Sequence, residues 1–496
     1  MTFKSFCSII TLFQLLFCCG LLHAQESTTL KLSPVLQSNM VIQQNKPFKV
    51  WGWAPAGETV LISADWMKTA VKVAAEADGR FLGIIPVPPA TRGDFSKKSL
   101  TVAAAGKSVT LHNLLIGETW ICSGQSNMQF KLRETIDSTR EMAAANYYNI
   151  RLFSGGLNFS NSPLDSISGR WQECTPETVK NFSAVAYHFG RELHQALNLP
   201  IGIIFTGIGA SAAQAYVPKE VLAADTLLSR VYLQPYLASP RSKEKIDGGF
   251  SFEKVTRPFL LYNALIHPFT QLSVRGFTWY QGESNRMERE SYTKLTQALI
   301  QSWRNAFGQG GLPFYYVQVA PFSYDNPDST LADYAFFREA QEKISTLGNT
   351  EMVVTMDVGE ARDLHPKNKK PIGVRLAKTA LNRTYGQLRV AYRGPQYDYV
   401  VFEKARAIIH FTPESVGSGL ATKDGNPPMH FTMAGADKIF HPATARIIGN
   451  TIELVSRGVK KPVAVRYAFT NFPVTNLQNG EGLPAVPFRT DAWSEK

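Results

Sequence analysis

Three short stretches, far apart in the chain, concentrate residue types able to carry out acyl chemistry: "ICSGQSNMQF" (121–130), "WYQGESN" (279–285) and "DVGEARDLHPKNKKPIGVRLA" (357–377). The first passes from an apolar run straight into Gly124, Gln125, Ser126 and Asn127. A serine hydroxyl is a weak nucleophile until a base removes its proton during attack. A strand-to-helix turn would lift it from a sheet and aim backbone N–H groups at a developing oxyanion. Met128 occupies the place of the second glycine in G-x-S-x-G, so the motif is not that elbow. Read alone, Ser126 is a turn residue or a helix N-cap before it is a nucleophile. The second stretch delivers Gln281, Gly282, Glu283, Ser284 and Asn285 at an aromatic strand end. A side-chain amide there can donate to an oxyanion and a carboxylate can orient its neighbours; a plain turn capped by Ser284 or Asn285 is the alternative. In the third, His365 is the one histidine of nine set among Asp357, Glu360 and Asp363 at a strand–helix junction. Such a histidine suits a general base. His267 lies in an apolar context, and His188 and His194 on a helical pattern, so these read as packing or surface residues. A metal site built on His365, Asp363 and Glu360 is too sparse, because no second histidine has ligand spacing.

These residues need a scaffold that brings them together. From about Leu114, strand-like runs alternate with amphipathic helices: "LLIGETWIC", "AVAYHFGRELHQALN", "PIGIIFTG", "VRGFTWYQ", "YTKLTQALIQSWRNAF", "PFYYVQVAPF", "MVVTMDV" and "IGVRLAKTALNRTYG". Val185, Phe189, Leu193 and Leu197 recur at four-residue spacing, the mark of one helix face. Repeated strand–helix units imply a parallel sheet covered on both faces, with ligands beyond the carboxyl ends of its strands. All three reactive stretches fall at such ends, which favours the catalytic reading of each. Residues 25–112 read as short alternating strands with Pro-Ala-Gly and Ala-Asp-Gly turns, a small β-sandwich. Residues 113–395 form the α/β domain. Residues 396–496 return to strands ("RAIIHFTP", "ARIIGNTIELVS", "PVAVRYAFTNF") and make a C-terminal β-rich unit that packs on the α/β domain or stands free.

The start of the chain differs in kind. Lys4 precedes an apolar run ending at Ala24, before Gln25 and Glu26, the layout of a signal peptide spanning 1–24. A membrane anchor, or a lipoprotein cut before Cys18 or Cys19, is the alternative. No later run is apolar for long enough to span a membrane, so the mature chain is expected to be secreted or periplasmic. Cys7, Cys18 and Cys19 leave with that leader, and an oxidising compartment would permit Cys122 and Cys174 to pair. The net charge of +12 comes from scattered rather than blocked basic residues, which disfavours nucleic acid as a partner. An acidic carbohydrate fits better than nucleic acid, but solvated surface charge is the leading explanation of the excess.

The blocks "GETWICSGQSNMQF", "RGFTWYQGESN" and "DLHPKNKKPIGVRLA" resemble the sialate O-acetylesterase family of the SGNH hydrolases. "PVLQSNMVIQQNKPFKVWGWAPAGETV", "FSAVAYHFGRELHQALNLPIGIIFTGIGAS" and "VRYAFTNFPVTNLQNGEGLPAVPFRTD" extend the likeness over nearly the whole mature chain. The resemblance implies an SGNH-type parallel sheet and a carbohydrate O-acetylesterase that needs no cofactor or metal and acts on an O-acetylated sugar or glycan. It implies Ser126 as nucleophile and His365 as base, with an oxyanion hole from the Ser126 N–H, the Gly209 N–H and the Gln281 side chain. Gln125, Asn127, Glu283 and Asn285 would support the pocket. The chain departs from the family at Gly209-Ala210-Ser211, where Gly-Gly-Thr is usual, and at Arg362, where the wider class has an aspartate three residues before histidine. Asp363, or a backbone carbonyl, is left to orient His365. Sialic acid is the family's named substrate; acetylated xylan or another plant polysaccharide is the alternative, and a carbohydrate-binding protein without activity is the reading from another class.

Overall fold

The structure is a computed structural model that describes residues 29–324, 326 and 328–494. The expected leader lies outside the described residues.

At the centre is a sheet in the order Trp171–Cys174, Tyr147–Ser154, Ile201–Phe205, Lys107–Gly124, Gly276–Tyr280, Phe314–Val317, Thr350–Val353. Every neighbouring pair is parallel except the antiparallel edge strand Trp171–Cys174. The inner strands are buried throughout, as a sheet covered on both faces requires. Chain order reverses around the Lys107–Gly124 strand: the next strands lie to one side, and Gly276–Tyr280 begins the other. A crevice forms at such a switch point, beyond the strand's carboxyl end. That end is Gly124, two residues before Ser126.

The covering helices follow the expected faces. Val185, Phe189, Leu193 and Leu197 of the Ala184–Leu197 helix are all buried. Ser183 caps it by accepting the Ala186 N–H at 3.1 Å, and Asn198 ends it in the left-handed region at φ 54°. The helices Glu290–Phe307 and Lys370–Arg383 stand where the amphipathic runs placed them. The strands Tyr147–Ser154 and Trp171–Cys174 were not foreseen.

Two antiparallel layers precede the central sheet. Strands Lys31–Leu32, Phe48–Trp53 and Arg80–Ile85 form one, and Thr59–Ala64, Val71–Ala74 and Lys98–Ala104 pair toward the Lys107–Gly124 strand in the other. Phe48, Val50, Val60, Ile62, Val102 and Ile85 fill the space between. The first half of Lys107–Gly124 thus belongs to the N-terminal layer and its second half to the central sheet. The boundary expected at 112/113 falls inside this unbroken 18-residue strand.

The C-terminal strands make two four-stranded antiparallel sheets and a two-stranded ribbon. They do not stand free. Arg338 is buried and donates to the Thr470 and Asn471 carbonyls, and Arg489 forms a paired ion bridge to Glu339 at 2.8 and 3.0 Å. Among the described residues no helix is long and apolar enough to cross a membrane.

Candidate active site

The Lys107–Gly124 strand ends by pressing against its neighbour. Gly124 has φ 144°, and a Cβ there would lie 2.1 Å from the Tyr280 carbonyl oxygen, so only glycine fits. Gln125 then donates its N–H to that carbonyl at 2.9 Å, and a single turn, Ser126–Gln129, begins. Gln125, not Ser126, is the N-cap residue, and it makes no side-chain cap. The Ser126 hydroxyl instead lies 2.7 Å from His365 Nε2, across 239 residues of chain. Both residues are partly exposed, so the pair faces the crevice.

His365 sits in the loop between the Thr350–Val353 strand and the Lys370–Arg383 helix. The carboxylates around it shape this loop. Asp357 binds Arg375 in two-pronged fashion at 2.8 and 2.6 Å, and Glu360 accepts the Lys367 N–H at 3.0 Å. Asp363 Oδ1 accepts the backbone N–H of His365 at 2.8 Å but lies 4.0 Å from Nδ1. It fixes the turn and stands near the ring without a hydrogen bond to it. The Phe130 ring stacks on the imidazole with centroids 6.5 Å apart. Burial lowers the histidine's pKa, the Lys369 charge lowers it further, and Asp363 opposes both. The imidazole is therefore held in its proton-accepting form to more acidic pH than an ordinary histidine.

Two expected oxyanion donors are differently employed. Gln281 is fully buried, and its amide hydrogens go to Ser211 O at 3.2 Å and Asn285 Oδ1 at 2.7 Å, while Tyr292 donates to its oxygen at 3.1 Å. It braces the wall behind the site and offers no free hydrogen to an acyl oxygen. The Gly209 N–H lies beside Ser126, but it donates to Gln129 Oε1 at 2.8 Å. Ala210, the departure from the family pattern, has φ 59°, a conformation that costs alanine roughly 1–2 kcal/mol and glycine nothing.

The supporting residues do converge. Gln125 Oε1 accepts the Gly282 N–H at 3.1 Å. Asn285 accepts from Ala213 N–H and donates to Gln214 and Glu288. Asn127 donates to Glu283 Oε1 at 2.5 Å and to the Leu364 carbonyl at 3.1 Å. His188 is buried and His194 bonds the Leu199 carbonyl at 2.7 Å, both packing residues, and His267 bonds the Leu164 carbonyl at 3.0 Å. Cys122 and Cys174 are free, buried thiols, each pushed up to about 12 by burial. Among the described residues no three His, Cys, Asp or Glu side chains gather as a metal ion would need.

Sequence reasoning missed Gln129 and Lys369. Lys369 looked like one more base in "KNKKP", yet it is fully buried, whereas Lys367 is exposed. The signal was helical phase: positions 369, 372, 373 and 376 share the buried face that leads into the Lys370–Arg383 helix.

A mainly parallel, helix-covered sheet with this serine–histidine contact at its switch point is an α/β fold, and comparison with known proteins specifies its class. Residues 245–382 match the family described as carbohydrate esterase, sialic acid-specific acetylesterase. The sialate O-acetylesterase of Mus musculus is 27% identical over 91% of this chain and 92% of its own length. The sialate O-acetylesterase of Homo sapiens is 27% identical over 77% of this chain and 76% of its own. The crystal structure of a carbohydrate acetylesterase from Xanthomonas citri superposes with a TM-score of 0.83 at 32% identity, covering 93% of this chain and all of that one. The chain belongs to the sialic acid-specific acetylesterase family of carbohydrate esterases.

Proposed function

We propose that this carbohydrate O-acetylesterase is an exported serine esterase whose nucleophile is Ser126 and whose base is His365. One observation carries the reading: the 2.7 Å approach of Ser126 Oγ to His365 Nε2. As Oγ bonds to the acetyl carbon its proton passes to Nε2. The bond from that carbon to the sugar oxygen then breaks, and the sugar oxygen takes the proton. Water then bonds to the acetyl carbon as the same imidazole takes its proton; the carbon–Oγ bond breaks, acetate leaves, and the proton returns to Oγ. The Ser126 and Gly209 N–H groups meet the oxyanion, the second once the acyl oxygen displaces Gln129 Oε1. With Asp363 at 4.0 Å from Nδ1, the pair works as a dyad with a nearby carboxylate.

O-acetylated sialic acid is the proposed sugar, supported by the names of the mammalian relatives and compatible with a basic chain of net charge +12. Ser126→Ala is expected to remove acetate release by at least ~10³-fold while the circular dichroism spectrum stays unchanged. Retained turnover would end the assignment. Acetate release from a panel of acetylated sialic acids, xylo-oligosaccharides and pectin tests the sugar; preference for xylan or pectin would replace sialate. Sugar binding without hydrolysis of p-nitrophenyl acetate would instead mark a non-catalytic protein, against which the intact Ser126–His365 contact speaks.

A further inference from the structure

Directly beneath the nucleophile turn lies a buried chain of polar groups that the acyl-transfer steps do not use. Lys369 is fully buried and its Nζ donates to Asn127 Oδ1 at 2.5 Å. The Asn127 amide donates on its other side to Glu283 Oε1 at 2.5 Å and to the carbonyl of Leu364 at 3.1 Å. Asn127 directly follows Ser126, and Leu364 directly precedes His365. One amide therefore links the two reacting residues through the backbones next to them. Its orientation is dictated by charge, since oxygen must face the ammonium and the NH₂ must face the carboxylate. The ammonium is enclosed by the faces of Phe130 and Tyr280, with ring centroids 4.8 and 5.8 Å away.

We propose that Lys369 is a positioning residue of this site, holding the Asn127 amide that locks the nucleophile turn to the histidine loop in one geometry. A lysine is needed for two reasons. Its hydrogen bond fixes the amide, and its charge reaches the imidazole. The groups facing that imidazole are Ser126 and Phe130 from the nucleophile turn, and Asp363 and Lys369 from its own loop. Those acting on Lys369 are Glu283 from the turn after Gly276–Tyr280, and Asp363 and Glu360 from its own loop. Burial drives the amine down to about 7 against the pull of these three carboxylates, so it carries its charge over the more acidic range, below 6.5, in which His365 titrates. A positive neighbour disfavours imidazolium. Removing it must raise the histidine's pKa and move the acidic limb of activity upward.

The inference rests on Ser126 and His365 being the reacting pair, and Ser126→Ala tests that separately. With purified full-length protein and p-nitrophenyl acetate, Lys369→Met is expected to lower kcat at least tenfold with KM changed less than about threefold. The acidic limb of kcat/KM should shift to higher pH. Lys369→Gln, which keeps a donor toward Asn127 without the charge, should recover part of kcat yet retain the shifted limb, and serves alone if the Met protein does not fold. Asn127→Ala should lower kcat by a similar factor, and Lys369→Met added to it should cost little more, because both cut the same link. An unchanged kcat in a folded variant, an unmoved acidic limb, or losses that simply multiply would overturn the proposal. With Ser126→Ala inactive, any of those results would leave the esterase reading standing.

Discussion

Gln129 and Asp363 show how far a side chain's task depends on the partner it meets. The Gly209 N–H is held in place by Gln129 Oε1 at 2.8 Å, so the donor is preorganised but occupied. In the proposed reaction a substrate carbonyl displaces that oxygen, and breaking such a hydrogen bond costs roughly 0.5–1.5 kcal/mol. Gln129→Ala should therefore lower KM for an acetyl ester by about two- to tenfold with kcat little changed; steady-state kinetics on p-nitrophenyl acetate would show it, and a raised KM would mean that Gln129 binds substrate. Asp363 illustrates the opposite case. Its carboxylate is close enough to His365 to act through space, but its hydrogen bond is spent on the loop backbone at 2.8 Å.

Among the elements, the packing of the Ala184–Leu197 helix on the Lys370–Arg383 helix controls where the histidine loop ends. A Cβ on Gly373 would sit 2.6 Å from both His188 Cβ and the Val185 carbonyl oxygen. The helices approach this closely only because that position is glycine. Gly373→Ala would force them apart, and overpacking of this kind costs about 1–3 kcal/mol. The same displacement carries Lys369 and His365 outward, so kcat should fall together with the unfolding midpoint. A stability loss with unaltered kcat would separate helix packing from the site. The Lys107–Gly124 strand is the other decisive element, for it starts in the N-terminal layer and ends at the nucleophile turn.

Across the whole molecule, the C-terminal unit is fastened to the α/β domain by buried charge. Arg338 is 1% exposed and its guanidinium serves two carbonyls, those of Thr470 and Asn471, while Asn471 also binds Asp333 and the Leu331 carbonyl. Arg338→Ala takes its donor from the partly buried Thr470 carbonyl and leaves the Asn471 carbonyl only the Phe322 N–H at 3.3 Å, a loss of roughly 1–3 kcal/mol in all. The urea midpoint should drop accordingly, and the slope of the transition would reveal whether the C-terminal unit separates first. Acetate release at temperatures where the variant remains folded should be unaffected, since none of these groups touches the Ser126–His365 pair.

Local sequence determined the elements and the cast. Periodicity placed the three longest helices and most strands of the central sheet, though not the helix Asp333–Glu342, because a face that must be buried imposes its spacing on neighbouring residues. Ser126, His365, Asn127 and Glu283 were legible because serine, histidine, amides and carboxylates clustered at strand ends. Only the tertiary structure decided which atoms meet. Gln281 and Gln129 carry the same amide, yet one is consumed in the wall and the other covers the Gly209 N–H. Three lysines in four positions differ in burial from exposed to fully enclosed. Pattern reports which face of an element turns inward; hydrogen bonds across 239 or 242 residues arise from packing of distant strands and helices, and no local window contains them.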